Sequence, residues 1–234
     1  MKMIGIIGGV GPESTVEYYR LLIEAYRKRT QDGSYPPVIV NSINLQKIVD
    51  LITAHQLEAL AGLLVEEVAR LARAGAECGA IAANSPHIVF DEVSRRTAIP
   101  LVSIIEATAL AAKTMGLTRL GLFGTRFTMQ GRFYPDVFSR SGIGLVIPDE
   151  QEQAYVHQKY MDELVKGIFL TETREGLLMI AQRLLEQKGI EGLILGGTEL
   201  PLILREEDVH SRLRIPSLDT TRIHVQAILE KALV

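Results

Sequence analysis

Signals for strands and helices alternate along the whole chain, and this alternation limits the fold more than any other feature. Short apolar runs, such as 3–8 and 79–83, are typical of buried strands, and segments with helical periodicity, such as 57–74, follow them. A strand that returns parallel to its neighbour needs a crossover connection, which is usually a helix. The alternation therefore predicts an α/β fold in which mostly parallel sheets are flanked by helices. The predicted strands are 3–8, 38–45, 79–83, 101–105, 120–124, 144–147, 192–195 and 215–218.

The two halves of the chain share short glycine-rich strand sequences. The run 4–9, Ile-Gly-Ile-Ile-Gly-Gly, resembles 120–125, Leu-Gly-Leu-Phe-Gly-Thr, and 79–84 resembles 192–197. A chance likeness is the alternative, since both pairs are short and rich in Gly and Ala. A true repeat predicts two similar half-domains with a cleft between them, where a ligand binds beyond the carboxyl ends of the strands. The predicted division is 1–100 plus 209–234, closed by the C-terminal helix, and 101–208.

Charge and cysteine content exclude several classes of protein. Lys and Arg total 25 against 28 Asp and Glu, a formal net charge of −3, so no basic excess favours nucleic acid as a partner. The single cysteine, Cys78, excludes an intrachain disulfide framework and a multi-cysteine zinc site, and the five histidines form no pair with metal-ligand spacing. No apolar run reaches the ~20 residues of a membrane span, and no signal peptide is expected before the first strand. These features predict a cytoplasmic protein.

The segment 8–15, Gly-Gly-Val-Gly-Pro-Glu-Ser-Thr, joins the first predicted strand to the first helix. Glycines let the backbone approach a ligand closely, and a helix N-terminus attracts anions. The segment is not a dinucleotide-binding loop, because Ser14 stands where the third glycine is needed, and it lacks the Gly-Lys-Ser/Thr of a P-loop. It is therefore either a tight turn with a helix cap or a site for a small carboxylate.

The segment 83–87, Ala-Asn-Ser-Pro-His, follows another predicted strand, at the edge where parallel sheets bind ligands. The side chains of Asn84 and Ser85 both donate and accept hydrogen bonds, and Pro86 restricts the turn. His87 is a candidate general base, although a lone histidine is more often structural.

Two segments in the second half have the same character. The run 124–129, Gly-Thr-Arg-Phe-Thr-Met, offers two hydroxyls and Arg126, which is either a clamp for a carboxylate or a solvated charge. In 196–201, Gly-Gly-Thr-Glu-Leu-Pro, Thr198 is a candidate ligand hydroxyl. Glu199 is either a hydrogen-bond partner or an acid at a helix N-terminus.

Taken together, these segments resemble the aspartate/glutamate racemase family. The resemblance covers nearly the whole chain, from about residue 3 to residue 233, and the motifs occur in the family's order. It implies two α/β half-domains with a substrate cleft between them, a homodimer and a reaction without cofactor. The motifs are 8–15, 84–87, 124–125 with 128–129, 198–201 and 219–220 with His224.

The resemblance also implies a chemistry that this sequence does not support. Members of the family use two cysteines on opposite faces of the substrate, one thiolate to remove the α-proton and one thiol to return a proton. The matching positions are Ala83, where the family has the cysteine of Cys-Asn-Thr-x-His, and Gly197, where it has the cysteine of Gly-Cys-Thr-Glu. Cys78 lies five residues before Ala83, ~16 Å along an extended strand, so it does not replace the lost thiol.

The remaining candidates are an acid/base pair and the residues that bind substrate. If turnover persists without the two cysteines, it requires another acid and base, and His87 and Glu199 are the first candidates. Lys166 matches a lysine that contacts a substrate carboxylate in some members of the family. A surface charge that complements the dipole at the end of a helix is an alternative of equal weight. The positions assigned to substrate binding are Gly9, Ser14, Asn84, Ser85, Thr125, Thr128, Lys166 and Thr198.

The sequence thus predicts a racemase-family protein that binds a small amino dicarboxylic acid, with no cofactor and no metal. Pyridoxal phosphate is not expected, because one lysine near a cleft is a weak signal for a Schiff base. Racemisation is expected to be impaired or altered, since neither Ala83 nor Gly197 can move a proton. The alternatives are a non-catalytic dicarboxylate-binding protein, or a lyase or decarboxylase in the same cleft that uses His87, Glu199, Asp219 or His224.

Overall fold

The computed structural model describes residues 1–234 and contains two four-stranded sheets in which every pair of strands is parallel. The strand orders are β2-β1-β3-β4 and β6-β5-β7-β8, so the two sheets have the same topology. The predicted α/β class is therefore confirmed. The strands are β1 (Ile4–Gly8), β2 (Val38–Ser42), β3 (Cys78–Ile81), β4 (Leu101–Val102), β5 (Arg119–Gly124), β6 (Gly144–Val146), β7 (Gly192–Gly196) and β8 (Ser217–Asp219).

Twelve α-helices and two short 3₁₀ helices connect the strands. The α-helices are α1 (Pro12–Thr30), α2 (Leu45–Thr53), α3 (Leu57–Arg73), α4 (Phe90–Arg96), α5 (Ile104–Thr114), α6 (Arg126–Gln130), α7 (Phe133–Ser139), α8 (Glu150–Asp162), α9 (Thr171–Lys188), α10 (Leu200–Ile203), α11 (Glu206–Leu213) and α12 (Thr220–Leu233). The 3₁₀ helices are Ser85–Val89 and Leu164–Lys166. No helix combines the length and the apolar character that crossing a bilayer requires.

The chain forms two compact units, Met1–Ala107 with Thr221–Val234, and Thr108–Thr220. The predicted division differs from these units at two places, because it puts 101–107 in the second half and 209–220 in the first. In the structure β8 lies in the second sheet, where Leu193 and Ile194 of β7 pair with Ser217 and Leu218. Backbone hydrogen bonds to β7 therefore fix this segment in the second unit.

Two predicted strands are each three residues shorter in the structure, because each is followed by a helix that was not predicted. The predicted strand 38–45 ends at Ser42, and the side chain of Asn44 caps α2 by accepting the N–H of Gln46 at 2.9 Å. The predicted strand 101–105 ends at Val102, and Ser103 Oγ accepts the N–H of Glu106 at 3.2 Å in the first turn of α5. The helices α6, α10 and α11 were also not predicted.

Each unit has its own apolar core. In the first unit, Ile4, Ile6 and Ala80 of the sheet pack with Leu22 of α1 and Ile228 of α12, and all five are buried. The helix α12 therefore completes the first core although it comes last in the chain. In the second unit, the buried cluster joins residues of β5 and β7 to residues of α8, α9, α10 and α11.

A glutamate directly before a central strand fixes the start of its neighbour in both sheets. Glu77, before β3, accepts the backbone N–H of Met3 at 2.8 Å. Glu191, before β7, accepts the N–H groups of Thr118 and Arg119 at 2.6 and 3.1 Å, and also the Thr118 hydroxyl at 3.0 Å. With the shared strand order, this equivalence supports the internal repeat.

We expect Glu191→Gln to lower the free energy of unfolding at pH 7. Hydrogen bonds from the backbone N–H and hydroxyl of Thr118, and from the N–H of Arg119, lower the pKa of Glu191 below its usual value. The carboxylate thus stabilises the fold above its unfolded pKa of about 4.3, and this stabilisation is lost as the pH falls through the lower folded pKa. Thermal unfolding should show a lower melting temperature for Glu191→Gln than for the unsubstituted protein at pH 7, and this difference should shrink in acid.

The matched control for that measurement is Glu186→Gln. Glu186 is an exposed residue of α9 whose carboxylate accepts a side-chain hydrogen bond from Gln182 rather than backbone N–H groups. Glu186→Gln should have nearly the same melting temperature as the unsubstituted protein. An equal loss of stability in the two variants would show that Glu191 has no special role at the strand ends.

Candidate functional site

The loop between β1 and α1 is shaped by glycine and by hydroxyls that bond to its own backbone. Gly9 has φ +78°, and a Cβ there would lie 2.2 Å from the carbonyl oxygen of Ile43, so no other residue fits. The hydroxyl of Thr15 accepts the N–H of Gly9 at 2.8 Å, and Ser14 Oγ donates to the carbonyl of Gly11 at 2.7 Å. Ser14 is fully buried. Both predicted residues, Gly9 and Ser14, therefore shape the loop directly.

The segment after β3 turns at once into the 3₁₀ helix Ser85–Val89. Ala83 and Asn84 are buried, and the carbonyl of Asn84 accepts the N–H of His87 at 3.0 Å. Ser85 is half-buried at the start of the 3₁₀ helix. Asn84 and Ser85 thus lie at the carboxyl end of a central strand, as the sequence predicts.

His87 has backbone partners for both ring nitrogens. Its Nδ1 lies 2.8 Å from the carbonyl oxygen of Ala83, which can only accept, and Nε2 accepts the N–H of Ile104 at 3.3 Å. The ring also stacks on Phe90, with centroids 4.8 Å apart and planes at 7°. Burial, followed by the nearby charge of His224, lowers the pKa of His87 to about 3. This geometry fits a neutral structural histidine better than a general base.

His224 is held in the same way by two groups of the first unit. Its Nε2 donates to the carbonyl of Val102 at 2.9 Å, so Nδ1 accepts the hydroxyl of Tyr18 at 2.7 Å. Burial lowers the pKa of His224 to about 4, against the raising effect of the Val102 bond. The two histidine rings lie 6.3 Å apart at an angle of 77°.

In the second unit, Thr125 and Thr128 form a cap at the carboxyl end of β5. Thr125 Oγ1 accepts the N–H of Thr128 at 3.3 Å and lies 3.3 Å from the Thr128 hydroxyl. Both side chains are buried. Arg126 donates its backbone N–H to His157 Nδ1 at 3.2 Å.

A buried polar cluster lies at the carboxyl end of β7, and one of its members was not predicted. The Thr198 hydroxyl donates to Glu199 Oε2 at 3.1 Å, and the phenol of Tyr160, from α8, donates to the same oxygen. A Cβ on Gly197 would lie 2.4 Å from Cε2 of Tyr160 and 2.9 Å from its hydroxyl oxygen. The Tyr160 ring therefore fills the space that a side chain of residue 197 would occupy.

Tyr160 lies 37 positions before Gly197. The sequence analysis missed Tyr160, because a small residue that makes room for a large one so far away leaves no local pattern. Lys166 is exposed at the end of a 3₁₀ helix, and its Nζ is 3.8 Å from Asp162 Oδ1. No group of three or more His, Cys, Asp and Glu side chains in residues 1–234 is placed to hold a metal ion.

These observations define the class of protein. Two parallel sheets of one topology carry buried amide, hydroxyl and carboxyl side chains at the carboxyl ends of their central strands, which is where α/β proteins bind small ligands. The model of the Asp/Glu/Hydantoin racemase family matches residues 7–228. The chain therefore belongs to this family, and an isomerase of the racemase class is the activity that the match supports.

Individual relatives agree with this assignment. An aspartate racemase homologue from Pyrococcus horikoshii is 36% identical, with a TM-score of 0.85 and 100% of both chains covered. An aspartate racemase from Picrophilus torridus has the same fold, with a TM-score of 0.78 at 24% identity over 99% of this chain and 94% of that one. The broad specificity amino-acid racemase RacX of Bacillus subtilis is 24% identical over 155 residues, 65% of this chain and 67% of its own.

We expect His224→Gln to flatten the dependence of stability on pH between about pH 6.5 and pH 4. An unfolded histidine binds a proton near pH 6.5, whereas folded His224 stays neutral to about pH 4, so acid favours unfolding in this window. Removing the imidazole of His224 should reduce the slope of the free energy of unfolding against pH by up to ~1.4 kcal/mol per pH unit. Urea unfolding at several pH values measures the slope. His210→Gln, at an exposed residue of α11, is the control, and an equal change in slope there would contradict the assignment.

We expect Gly197→Ala to lower the free energy of unfolding by about 1–3 kcal/mol, because the new methyl overlaps the buried ring of Tyr160. In a Tyr160→Leu background, the same change should cost less than ~1 kcal/mol. Denaturant unfolding of the four proteins gives the coupling. Gly62→Ala, with open space around the added methyl in α3, should be neutral or stabilising by ~0.5–1 kcal/mol. Equal costs of Gly197→Ala in the two backgrounds would refute the overlap.

Proposed function

We propose that this chain binds a small amino dicarboxylic acid, such as aspartate or glutamate, and that its racemase chemistry is altered by the loss of both thiols. The observation that carries the proposal is the family match over residues 7–228. The names of the relatives support the ligand class, since they include aspartate racemases and an amino-acid racemase.

The polar side chains at the carboxyl ends of the strands suit such a ligand. Carboxylates are bound by amide and hydroxyl donors, and in the first unit Asn84 and Ser85 offer both kinds. In the second unit Thr125 and Thr128 follow β5, and Thr198 follows β7. Because the Thr198 hydroxyl donates to Glu199, it offers a ligand an acceptor rather than a donor. We assign these five residues to ligand binding.

Three further positions have different roles in the proposal. Gly9 and Ser14 act through the shape of the loop after β1, because the Ser14 hydroxyl and the Gly9 N–H bond within that loop. Lys166 is exposed and only 3.8 Å from Asp162, so its long side chain can turn toward an anionic ligand with the loss of a weak ion pair.

The chemistry at Cα is where this chain departs from two-cysteine racemases. Inversion needs a base and an acid that act on the two faces of the substrate. Ala83 and Gly197, at the positions of the family's cysteines, carry no ionisable group. His87 is neutral, with backbone partners for both nitrogens. A slow or altered proton transfer is therefore proposed, rather than the usual exchange between two thiols.

The absence of thiols at residues 83 and 197 also favours one alternative function. A protein that kept the ligand-binding residues but lost both thiols would hold an amino dicarboxylic acid without turning it over. Assembly as a homodimer, a cytoplasmic location and a reaction without cofactor stay predictions from the sequence.

The proposal is tested by incubating the protein with each enantiomer of aspartate and glutamate in D₂O and following the α-proton by NMR. We expect ligand-induced shifts and slow loss of the α-proton signal for at least one acid. Shifts without exchange would favour the binding protein. No shift with any of the four ligands would refute the proposed ligand class.

Ser85→Ala should weaken binding of the aspartate or glutamate enantiomer that gives these shifts by about tenfold, because one hydrogen bond to a charged group is lost. Ser211→Ala is the matched control, because that exposed hydroxyl of α11 donates only to the nearby carbonyl of Asp208, at 3.1 Å. NMR titration or calorimetry gives both affinities. Unchanged affinity in Ser85→Ala would remove this residue from the site.

A further inference from the structure

The end of β7 carries an acid/base arrangement that does not depend on cysteine. Gly197 leaves room for the ring of Tyr160, whose hydroxyl oxygen lies 2.9 Å from the Cβ position of residue 197. The phenol thus stands next to the point from which the family's second cysteine would project its thiol. A group able to exchange a proton is therefore present at this strand end, although it comes from α8 rather than from β7.

The phenol is coupled to a carboxylate that has almost no contact with solvent. Glu199 is 1% exposed and Tyr160 is 6% exposed. The phenol of Tyr160 and the hydroxyl of Thr198 each donate a hydrogen bond to Glu199 Oε2. Burial and the charge of Glu199 both raise the pKa of Tyr160, so the phenol is protonated at neutral pH. The hydrogen bond between the two side chains is a path along which a proton can move from the phenol to the carboxylate.

We propose that Tyr160 and Glu199 form the proton-transfer pair of this chain. The phenol of Tyr160 takes the role of the thiol that Gly197 lacks. The inference rests on the proposed function, because it names the groups that would act on the α-proton of the bound amino acid. It extends that function by assigning the reaction to a tyrosine that the family resemblance does not indicate.

The proposed step is balanced without any other reactant. The phenol proton of Tyr160 passes to the Glu199 carboxylate while the phenol oxygen takes the α-proton of the ligand. The electron pair of the C–H bond stays on Cα and is delocalised into the adjacent carboxyl group. The reverse transfer returns a proton, or a deuteron after the pair has exchanged with D₂O. Because one pair works on one face of the ligand, exchange is expected with retention of configuration.

The test compares α-proton exchange in D₂O for the full-length chain and for Tyr160→Phe and Glu199→Gln, with each enantiomer of aspartate and glutamate at saturating concentration. Both variants should exchange at least tenfold more slowly, while the ligand-induced shifts stay as in the original protein. Tyr155→Phe is the matched control, because it removes a phenol from the same helix without touching Glu199, and it should exchange at the original rate. Thermal unfolding reports whether each variant is folded, and Glu199→Gln keeps the test available if Tyr160→Phe is not.

The outcomes separate this inference from the proposed function. Loss of exchange in the two variants, with unchanged binding and a normal control, supports the pair. Exchange at the original rate in either folded variant overturns it. Ligand-induced shifts without exchange in the original protein overturn the pair and leave the ligand class standing. No shift and no exchange in the original protein would refute the proposed function, and the pair with it.

Discussion

Parallel pairing of the central strands, β1 with β3 and β5 with β7, is the constraint on which both units depend. Parallel strands need crossover helices, and helices on both faces bury the sheet and demand close packing. The glycines inside the strands reflect this demand. A Cβ on Gly5 would lie 2.8 Å from Cβ of Ala76, and one on Gly121 would lie 2.9 Å from Cδ1 of Ile190. The equivalent contact in the two sheets agrees with their common topology.

Parallel pairing also collects the polar residues. The carboxyl ends of all strands in one sheet lie at one edge, so the segments that follow β1 and β3 share an edge, as do those that follow β5 and β7. Many polar side chains of these segments are buried, as is His224 of α12, and burial limits the charge that each can carry. It keeps His87 and His224 neutral and leaves their nitrogens bonded mainly to backbone groups. The histidines consequently stabilise the first unit in one protonation state.

In the second unit, the side chain of Tyr160 depends on the absence of a side chain at residue 197. A Cβ there would lie 2.4 Å from Cε2 of Tyr160, so tyrosine at 160 requires glycine at 197. The same contact brings a phenol to a buried carboxylate. Substitution of Gly197 is therefore expected to disturb both the packing of Tyr160 and its hydrogen bond to Glu199.

The amino-acid sequence by itself determined the α/β class, the parallel sheets and the segments that end at the polar edge, because these follow from local patterns of period and turn residues. It also indicated the racemase resemblance and the absence of cysteine at Ala83 and Gly197. Only the tertiary structure decided that β8 pairs with β7, that the helices α2 and α5 follow the short strands β2 and β4, and that both nitrogens of His87 have backbone partners. It alone placed Tyr160 beside Gly197, since packing between residues distant in sequence depends on how the helices cover the sheet.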